Sequence, residues 1–254
     1  MSDMPPPPPP TGPPPGYVAY GETGSVNRSM QRIGGLAKAL WILLLIYVPL
    51  SVLNIVATVQ VSHKAKQFAD GEISKDSFAR VSRVNIGSVA GYLVVPIAVL
   101  TILWMFRMAQ NVRSLGRPGL KFSPGWAIGG WFTPPCIVYA VPWLMFRELW
   151  KASDPEIGPG DPSWREQRVP LLVNLWWVCY GLVPLLGIFS AAGIVSQLRN
   201  TDDSDARLRD LAGQLHKYLP LNLAIATVGM LSGIVYLLMV RQLSDRHMRA
   251  TREA

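Results

Sequence analysis

The chain has 254 residues, of which 50% are hydrophobic and only 16% are charged, and its formal net charge is +8. A typical soluble domain carries about 25% charged residues, so this composition excludes an ordinary soluble protein and indicates an integral membrane protein. We expect membrane lipids as partners, with anionic headgroups attracted by the basic excess, and we expect no nucleic acid.

Residues 1–33 differ in composition from the rest of the chain, because they open with MSDMPPPPPPTGPPPG. Consecutive prolines favour an extended polyproline II conformation with a solvated backbone, and they cannot build a core. We therefore predict a disordered, proline-rich cytoplasmic tail over residues 1–33. Its simplest role is that of a spacer, and the alternative is a ligand that a cytoplasmic protein binds through an aromatic groove.

Four apolar runs of the chain are long enough to cross a membrane and have essentially no charge at their centres. A helix that rises 1.5 Å per residue needs about 20 residues to cross a hydrocarbon core of about 30 Å. In lipid such a run must be helical, because its backbone groups find partners only within the segment. The sequence predicts transmembrane helices at about residues 36–61, 84–106, 169–195 and 218–240, within a membrane domain of residues 34–245 that a short basic C-terminal tail, residues 246–254, follows.

The stretch of residues 121–150 is also apolar, but it contains KFSPGWAIGGWFTPP. Ser123 is a good N-cap and Pro124 suits the first position of a helix, whereas Pro134 and Pro135 would break the helix that begins there. We therefore predict a broken interfacial or re-entrant pair of helices. A fifth, proline-kinked span is the alternative, since neighbouring helices can satisfy the backbone groups that a proline frees.

The distribution of lysine and arginine distinguishes these two alternatives. With four spans, the side that holds both termini and the broken segment carries 15 of these residues, and the side of the two hairpin loops carries 9. With five spans the division becomes 11 against 13, which removes the excess that cytoplasmic loops normally show. We therefore predict four spans in the plasma membrane, with both termini in the cytoplasm.

The first and third spans share a pattern, since LWILLLIYVPL at residues 40–50 corresponds to LWWVCYGLVPL at residues 175–185, 135 positions later. The same offset places the second span on the fourth without a gap, and each hairpin has a polar connector of 22 residues. These matches indicate a duplicated helical hairpin, which in a four-span topology is a parallel repeat about an axis along the membrane normal. Both connectors, residues 62–83 and 196–217, have the apolar periodicity of short amphipathic helices.

Residues that usually carry chemistry are few and scattered. Cys136 and Cys179 lie in apolar segments, and we predict that both are buried free thiols. His63, His216 and His247 fall at span ends or in the C-terminal tail, so we interpret them as interfacial rather than metal-binding residues. The span interiors lack the ionisable groups that intramembrane catalysis normally requires. We therefore expect no catalytic residue, no cofactor and no metal site, and hence a protein that is not an enzyme.

Three motifs follow one another in the central part of the chain: WMFRMAQNVRSLG, KFSPGWA and RELWKAS. Together they resemble a bacterial family known as domain of unknown function 4328, whose pattern contains Asn-x-Arg-x-Leu-Gly, Phe-Ser-Pro-Gly-Trp-Ala and Arg-Glu-Leu-Trp-x-Ala-Ser. The corresponding residues here are Trp104, Arg107, Asn111, Arg113, Leu115, Gly116, Phe122–Ala127 and Arg147–Ser153. The chain departs from the family at VYAVP, residues 138–142, where an Asn-Leu-Trp-x-Pro-Tyr segment is expected. The resemblance implies a multi-span protein of the bacterial cytoplasmic membrane and brings no known activity.

The segment that follows the second span is basic and contains no acidic residue as far as Lys121. Each cation near anionic lipid contributes about 1 kcal/mol to membrane attachment, so this segment suits a lipid surface, with an anionic-ligand pocket as the alternative. Tryptophans of the broken segment suit the headgroup layer. The candidate residues for lipid or ligand contact are Arg107, Asn111, Arg113, Arg117, Lys121, Trp126, Trp131, Arg147 and Glu148.

Two functional hypotheses from different classes of protein follow. The first is a non-enzymatic membrane scaffold or binding protein, with the proline-rich tail projecting into the cytoplasm. The second is a small transporter or lipid-handling protein, in which the broken segment 121–150 closes a site. A tightly packed bundle favours the first hypothesis, and a polar cavity at mid-membrane depth, lined by Asn54, Asn174 or Asn222, favours the second.

Overall fold

A computed structural model describes residues 30–83, 87–132, 135–197 and 204–253 of the chain. Within these ranges the regular structure is helical and there is no β-strand, so the predicted all-α class is confirmed. Residues 1–29 lie outside the described part, and the disordered tail therefore stays a prediction.

Four long apolar helices correspond to the four predicted spans. Each contains an 18-residue stretch that is apolar enough to cross a bilayer, and no further helix of the described residues meets that condition. The helices in chain order are α1 Gly34–Ala69, α2 Lys75–Arg83, α3 Gly87–Ser114, α4 Trp126–Gly129, α5 Pro135–Ala152, α6 Leu171–Gln197, α7 Ser204–Lys217 and α8 Leu219–Thr251, with a 3₁₀ turn at Pro162–Glu166 between α5 and α6. The spans are therefore α1, α3, α6 and α8.

The long helices do not pack as four equivalent neighbours. α1 packs along both α3 and α8, and α6 packs along α8, whereas α4 and α5 fill the side between α3 and α6. The ring of Phe146 on α5 lies 6.1 Å from that of Trp104, 5.0 Å from Trp176 and 6.3 Å from Tyr236, measured between centroids. Such tilted and edge-on aromatic pairs contribute about 0.5–1.5 kcal/mol each beyond burial. The α5 helix is thereby fixed to α3, α6 and α8 at once.

The α5 helix lies antiparallel to the first part of α6. Trp143 stacks on Trp177 at 4.6 Å, and the ring of Tyr139 lies 5.9 Å from that of Tyr180. Tyr180 is nine residues into α6, which corresponds to about 14 Å at 1.5 Å per residue. That distance is about half of a hydrocarbon core of about 30 Å. The start of α5 therefore lies near the middle of the third span.

The chain before α5 runs back along α5 in the opposite direction. The backbone N–H of Lys121 is bonded to Glu148, near the end of α5, and Gly130 abuts Val141, nearer its start. The segment thus enters the bundle and leaves it at the same end, as a re-entrant pair of helices does. This arrangement agrees with the predicted broken segment and not with a fifth crossing.

Both ends of the described chain meet at one end of the bundle, which we call the terminal end. It is formed by residues 30–34, 107–122, 147–158 and 246–253. The C-terminal tail predicted at residues 246–254 is not a separate element, because α8 continues to Thr251. Leu243 and His247 are spaced by one helical turn and are completely buried, so tertiary packing prolongs the helix beyond the apolar span.

At the opposite end, α1 projects beyond the other spans and carries both connector helices. Ala212 of α7 packs against Ala65 and Phe68 of α1 in a small separate core. The α2 helix follows α1 after a turn at Gly71, and Phe78 stacks on Phe68 at 5.2 Å. Each connector therefore contains a short helix in its described part, as predicted.

The buried positions agree with the predicted duplication in one pair of spans and not in the other. Buried positions recur with the offset of 135 in α3 and α8, where Thr101, Trp104, Met105, Met108 and Val112 correspond to Tyr236, Met239, Val240, Leu243 and His247. In α1 and α6 the buried faces are displaced by one residue, since buried Leu40 corresponds by offset to exposed Leu175 and not to buried Trp176. Helices α4 and α5 also lie between α3 and α6 and separate these two spans. The repeat stays a hypothesis, supported by the second and fourth spans.

Candidate functional site

A non-helical strap, residues 30–33, lies against α3 immediately before α1 begins. Asn111 binds it twice, since the N–H of Gln31 donates to Oδ1 at 2.7 Å and Nδ2 donates to the Gln31 carbonyl at 2.8 Å. Arg107 donates to the carbonyl of Arg32 at 2.9 Å. A backbone segment outside secondary structure needs such partners, because its polar groups otherwise require water. Two of the candidate residues therefore hold the protein's own backbone.

Glu253 holds the other side of the strap and caps α1. Its two carboxylate oxygens accept hydrogen bonds from the backbone N–H groups of Ile33 and Gly34, both at 2.9 Å. A carboxylate at a helix N-terminus satisfies N–H groups that have no partner within the helix and interacts favourably with the helix dipole. The start of the first span is thereby tied to a residue 219 or more positions away, just after the fourth span.

Glu253 reaches α1 because the chain reverses at the end of α8. Arg252 has a left-handed conformation with φ of 54°, and the N–H of Glu253 donates to the carbonyl of Met248 at 2.9 Å. These are the features of a Schellman C-cap, which turns the chain back over the last helical turn. A left-handed conformation at a residue with a Cβ costs roughly 1–2 kcal/mol. The bonds that Glu253 makes to α1 offset this cost.

Asn111 also connects the strap to a buried histidine of α8. Because both amide atoms are oriented by Gln31, Nδ2 faces His247 as a donor, 3.2 Å from Nε2. We infer that Nε2 accepts, which places the proton of a neutral imidazole on Nδ1. Nδ1 lies 2.7 Å from Oγ of Ser153 and donates to it. One hydrogen-bond chain thus joins the strap, α3, α8 and the end of α5, and Asn111, His247 and Ser153 within it are buried.

Arg117 closes the C-terminal end of α5. Its guanidinium donates to four backbone carbonyls at 2.7–3.0 Å, those of Ala152, Asp154, Ile157 and Gly158. The rigid, planar fork of arginine suits several acceptors at once. Burial lowers the pKa of Arg117, whereas the carboxylates of Asp154 and Asp161 raise it. The guanidinium stays charged and stabilises the loop after α5, where the carbonyls of the last turn have no helical partner.

An ion pair adds a second link between this loop and α8. Nη2 of Arg246 lies 2.7 Å from Oδ2 of Asp154, and both side chains are largely buried. Oδ1 of Asp154 accepts from the N–H of Glu156, and Nε of Arg246 donates to the carbonyl of Trp150. A buried pair is favourable only when its remaining donors and acceptors are also bonded, as several of them are here.

Glu148 joins α5 to the loop before α4. Its two oxygens accept from the backbone N–H groups of Lys121 and Phe122, at 2.8 and 3.2 Å. Arg113 donates to the carbonyl of Phe122 over a longer distance of 3.4 Å. The acidic residue of the third motif therefore positions the re-entrant segment.

The two aromatic candidates and Arg147 divide between surface and core. Trp126 is 41% exposed, as a residue of the headgroup layer would be. Trp131 instead packs edge-on against Tyr180 at 6.0 Å, so it belongs to the aromatic core. The guanidinium of Arg147 lies over the ring of Trp143 at 4.7 Å, a cation–π contact.

Most of the nine candidate residues lie at or near the terminal end, but Trp131 lies deeper, beside Tyr180, and the nine do not form one lipid- or ligand-binding surface. Asn111 and Arg117 are 1% and 5% exposed and bind backbone groups, so they are not placed to contact headgroups, contrary to the prediction. The reason is that loops at the end of a bundle leave buried backbone groups that only side chains can satisfy. The candidates that are exposed are Arg113, Lys121 and Trp126.

Sequence reasoning missed the residues that complete this network, which are Ser153, Asp154, Arg246, His247 and Glu253. His247 was interpreted as interfacial, yet it is completely buried. Its spacing carried a signal, because Met239, Leu243 and His247 recur every four residues and so share one face of a helix. Nothing local marks Glu253, since its partners are distant in sequence.

The serine and histidine of this network are not arranged for nucleophilic catalysis. Ser153 and His247 are both completely buried, and the imidazole donates to Oγ instead of accepting its proton. Within the described residues, no group of three His, Cys, Asp or Glu side chains is placed to hold a metal ion. Cys179 is a free thiol as predicted, but partly rather than fully buried, and the side chain of Cys136 lies outside the described part.

A family model matches most of the chain. The family is described as a domain of unknown function, DUF4328, and the match covers residues 68–245. The matched range contains Arg117, Glu148 and Ser153, whereas the strap and Glu253 lie outside it. No curated protein and no solved structure matches the chain significantly.

Proposed function

We propose that this chain, which belongs to the DUF4328 family, is a non-enzymatic membrane scaffold. The family itself has no assigned activity. The bundle anchors the chain in the membrane, and the proline-rich segment 1–29 binds a protein partner in the cytoplasm. The observation that carries this proposal is the way in which the strap, residues 30–33, is held at the terminal end.

The strap is the point at which the proline-rich segment joins the bundle. Backbone groups of Gln31, Arg32 and Ile33 are all bonded to side chains of α3 or to Glu253. The segment therefore leaves the bundle from a fixed position. A ligand tethered at a fixed point samples a smaller volume than a free peptide, which raises its effective concentration for a partner at the same membrane.

Exposed side chains of the terminal end support its placement on the cytoplasmic side. Arg113 and Lys121 are exposed, and Trp126 is exposed on the same re-entrant segment as Lys121. Each cation near anionic lipid contributes about 1 kcal/mol to attachment, and tryptophan suits the headgroup layer. We infer that both termini face the cytoplasm of a bacterial cell and that this end contacts anionic headgroups.

Single cysteines test this orientation. Cys136 and Cys179 are replaced by alanine, and one cysteine is then placed at exposed Glu156 of the terminal end or at exposed Glu72 of the opposite end. A membrane-impermeant maleimide on intact cells should label the Glu72→Cys variant, and should label the Glu156→Cys variant only after the cells are opened. Labelling of Glu156→Cys in intact cells contradicts the orientation.

The scaffold role is tested by native mass spectrometry of the protein extracted in its own lipids. The test variant replaces prolines 5–10 and 13–15 with serine, which removes the polyproline II preference and keeps the length. Wild type should retain a stoichiometric protein partner, and the variant should lose it. The matched control replaces residues 17–25 with a glycine–serine sequence and should keep the partner. The proposal is overturned if both variants retain the partner equally, or if wild type retains no partner.

The alternative is a small transporter or lipid-handling protein whose site is closed by the broken segment 121–150. Asn54 and Asn222 do line a polar cleft, which favours this alternative, but no residue of the broken segment lines that cleft. The inner side of α5 is filled by the buried residues Val141, Met145, Phe146 and Leu149. Asn174, one of the asparagines considered for a polar cavity, accepts a hydrogen bond from Nε1 of Trp143 at 3.1 Å. An interface that is close-packed and internally bonded acts as a structural wedge.

A further inference from the structure

A polar cleft lies between α1 and α8, beneath α7, in the half of the bundle remote from the terminal end. Its volume is about 300 Å³, and its polar lining comes from Asn54, Thr58, Ser62 and Asn222. Small-molecule sites typically measure about 300–1,000 Å³. The cleft therefore has room for one small group rather than for a whole lipid.

The cleft extends from the end of the first span to a depth close to the middle of the hydrocarbon core. Ser62 comes directly after the predicted end of the first span, and Asn54 is eight residues earlier, about 12 Å deeper at 1.5 Å per residue. Asn222 is four residues inside the fourth span, about 6 Å from its start. Only the mouth of the cleft, at Ser62, lies where ester, glycerol and headgroup atoms meet a protein, so a bound group must reach from there toward Asn54.

Asn54 is the residue that most clearly calls for a ligand. It lines the cleft, and among the described residues none is hydrogen-bonded to its side-chain amide. Its side chain is only partly buried, so this amide is accessible to a bound group. An asparagine that only joined two helices would be bonded across them. Its open amide instead offers one acceptor and two donors to the cleft.

The neighbouring hydroxyl groups are already oriented by the protein. Thr58 donates to the carbonyl of Asn54 at 2.8 Å, which leaves its oxygen as an acceptor toward the cleft. Oγ of Ser62 on α1 lies 3.1 Å from Nδ1 of His216 on α7, so a hydrogen bond joins α7, which covers the cleft, to α1, which forms one of its sides. The cleft therefore presents a donor at Asn54 close to an acceptor at Thr58, a pair that one hydroxyl group can satisfy.

We propose that this cleft binds an uncharged, hydroxyl-bearing group, either the headgroup of a membrane glycolipid or a free sugar or polyol. None of the residues that line it is charged, so a phosphate or an ammonium group would be desolvated there without a partner. Val61, Leu215 and Ile225 provide apolar walls that suit the carbon face of a sugar ring. This site is independent of the proposed scaffold role.

The test uses the full chain in nanodiscs of phosphatidylglycerol and phosphatidylethanolamine that contain a small fraction of monoglucosyl diacylglycerol. Native mass spectrometry should find one glycolipid retained by wild type, and Asn54→Leu should bind it about tenfold more weakly, as expected for a lost hydrogen bond. Ala226→Phe fills the cleft from α8 and should weaken binding similarly, so the result does not rest on one variant. Thr227→Val, on the exposed side of α8, is the matched control and should bind like wild type.

A second arm adds free methyl glucoside to nanodiscs with and without glycolipid. Glycolipid that is retained by wild type, and that the free glucoside does not displace, identifies a lipid ligand. Binding of the free glucoside to wild type and Thr227→Val, but not to Asn54→Leu, identifies a soluble one. If neither probe binds wild type more tightly than Asn54→Leu, the proposed site is wrong.

Discussion

The two ends of the bundle are held together by different kinds of contact. At the terminal end, buried polar side chains such as Asn111 and Arg117 bind the backbone of the strap and of the loop after α5. At the opposite end, α2 and α7 rest on α1 through a small apolar core around Phe68, and an exposed ion pair between Lys75 and Asp205 joins α2 to α7.

This difference indicates where the molecule is rigid and where it can open. A buried polar network has few arrangements in which every donor and acceptor is paired, so it fixes one geometry. A small apolar core under exposed helices opens at a lower free energy than the main core. The terminal end thus suits the anchoring of a segment, and the opposite end suits a cleft with a movable roof, α7.

The largest effect is expected for Arg117→Ala. The substitution leaves four carbonyls of the loop after α5 without their donor, and each buried unpaired acceptor is costly. We expect the free energy of unfolding to fall by roughly 3 kcal/mol or more, measured by detergent-induced unfolding in mixed micelles. Arg117→Lys should recover little, because an ammonium group cannot reach several diverging acceptors.

The matched control for this substitution is Arg113→Ala. Arg113 is exposed and makes one long bond, so its loss should change stability by less than about 0.5 kcal/mol. Equal effects of the two substitutions would mean that the buried hydrogen bonds of the terminal end do not stabilise the fold.

The next effect is expected for Asn111→Leu, which keeps the volume and removes both bonds that Asn111 makes to the strap. The backbone of Gln31 and Nε2 of His247 lose their partner, which should cost about 2 kcal/mol. The bond after Arg32 should then be cleaved by trypsin about tenfold faster, read by mass spectrometry as a fragment that begins at Ile33.

Ser114→Ala is the control on the same helix, because its hydroxyl bonds only locally, to the carbonyl of Gln110. It should leave cleavage after Arg32 unchanged. A strap that stays protected in Asn111→Leu, although the protein is less stable, would show that Arg107 and Glu253 hold it without Asn111.

Much of the fold could be predicted from the sequence, because its signals are local. Membrane spans are read from runs of apolar residues, and the broken segment is marked by Pro124, Pro134 and Pro135. The end of α8 could not be placed in this way, since residues 241–251 are polar by composition and helical through packing. Only the spacing of Leu243 and His247 indicated a continued buried face.

The candidate site was predicted less well, because its bonds join residues that are distant in sequence. The motif residues Asn111, Arg117 and Glu148 were singled out together for lipid or ligand contact, whereas in the structure they bind backbone acceptors and donors. A cation by itself does not reveal whether its partner is a headgroup or a carbonyl. That choice depends on burial, which tertiary structure decides.

A smaller effect is expected at the opposite end, for Phe68→Ala. Phe68 stacks on Phe78 and contacts the α7 core, so its loss should loosen both connector helices. We expect backbone amides of α7 to exchange hydrogen at least about tenfold faster, while those of α3 and α5 are unchanged. Faster exchange throughout α3 would contradict the separation of the two ends. Ile73→Ala, at the edge of the same small core, is the milder control.

The smallest effect is expected for Lys75→Ala, which removes the ion pair of the opposite end. Nζ of Lys75 lies 2.9 Å from Oδ1 of Asp205, but the side chains are 59% and 69% exposed. The hydrogen bond and the charge of Lys75 lower the pKa of Asp205, so the pair stabilises the fold above the ordinary pKa of an aspartate and is lost as the pH falls through the lowered value. Because water and salt screen an exposed pair, Lys75→Ala should leave the Tm unchanged between about pH 6 and 8, in low and high salt alike. A fall in Tm comparable with that of Phe68→Ala would mean that the ion pair, and not the small apolar core, holds α2 and α7 together.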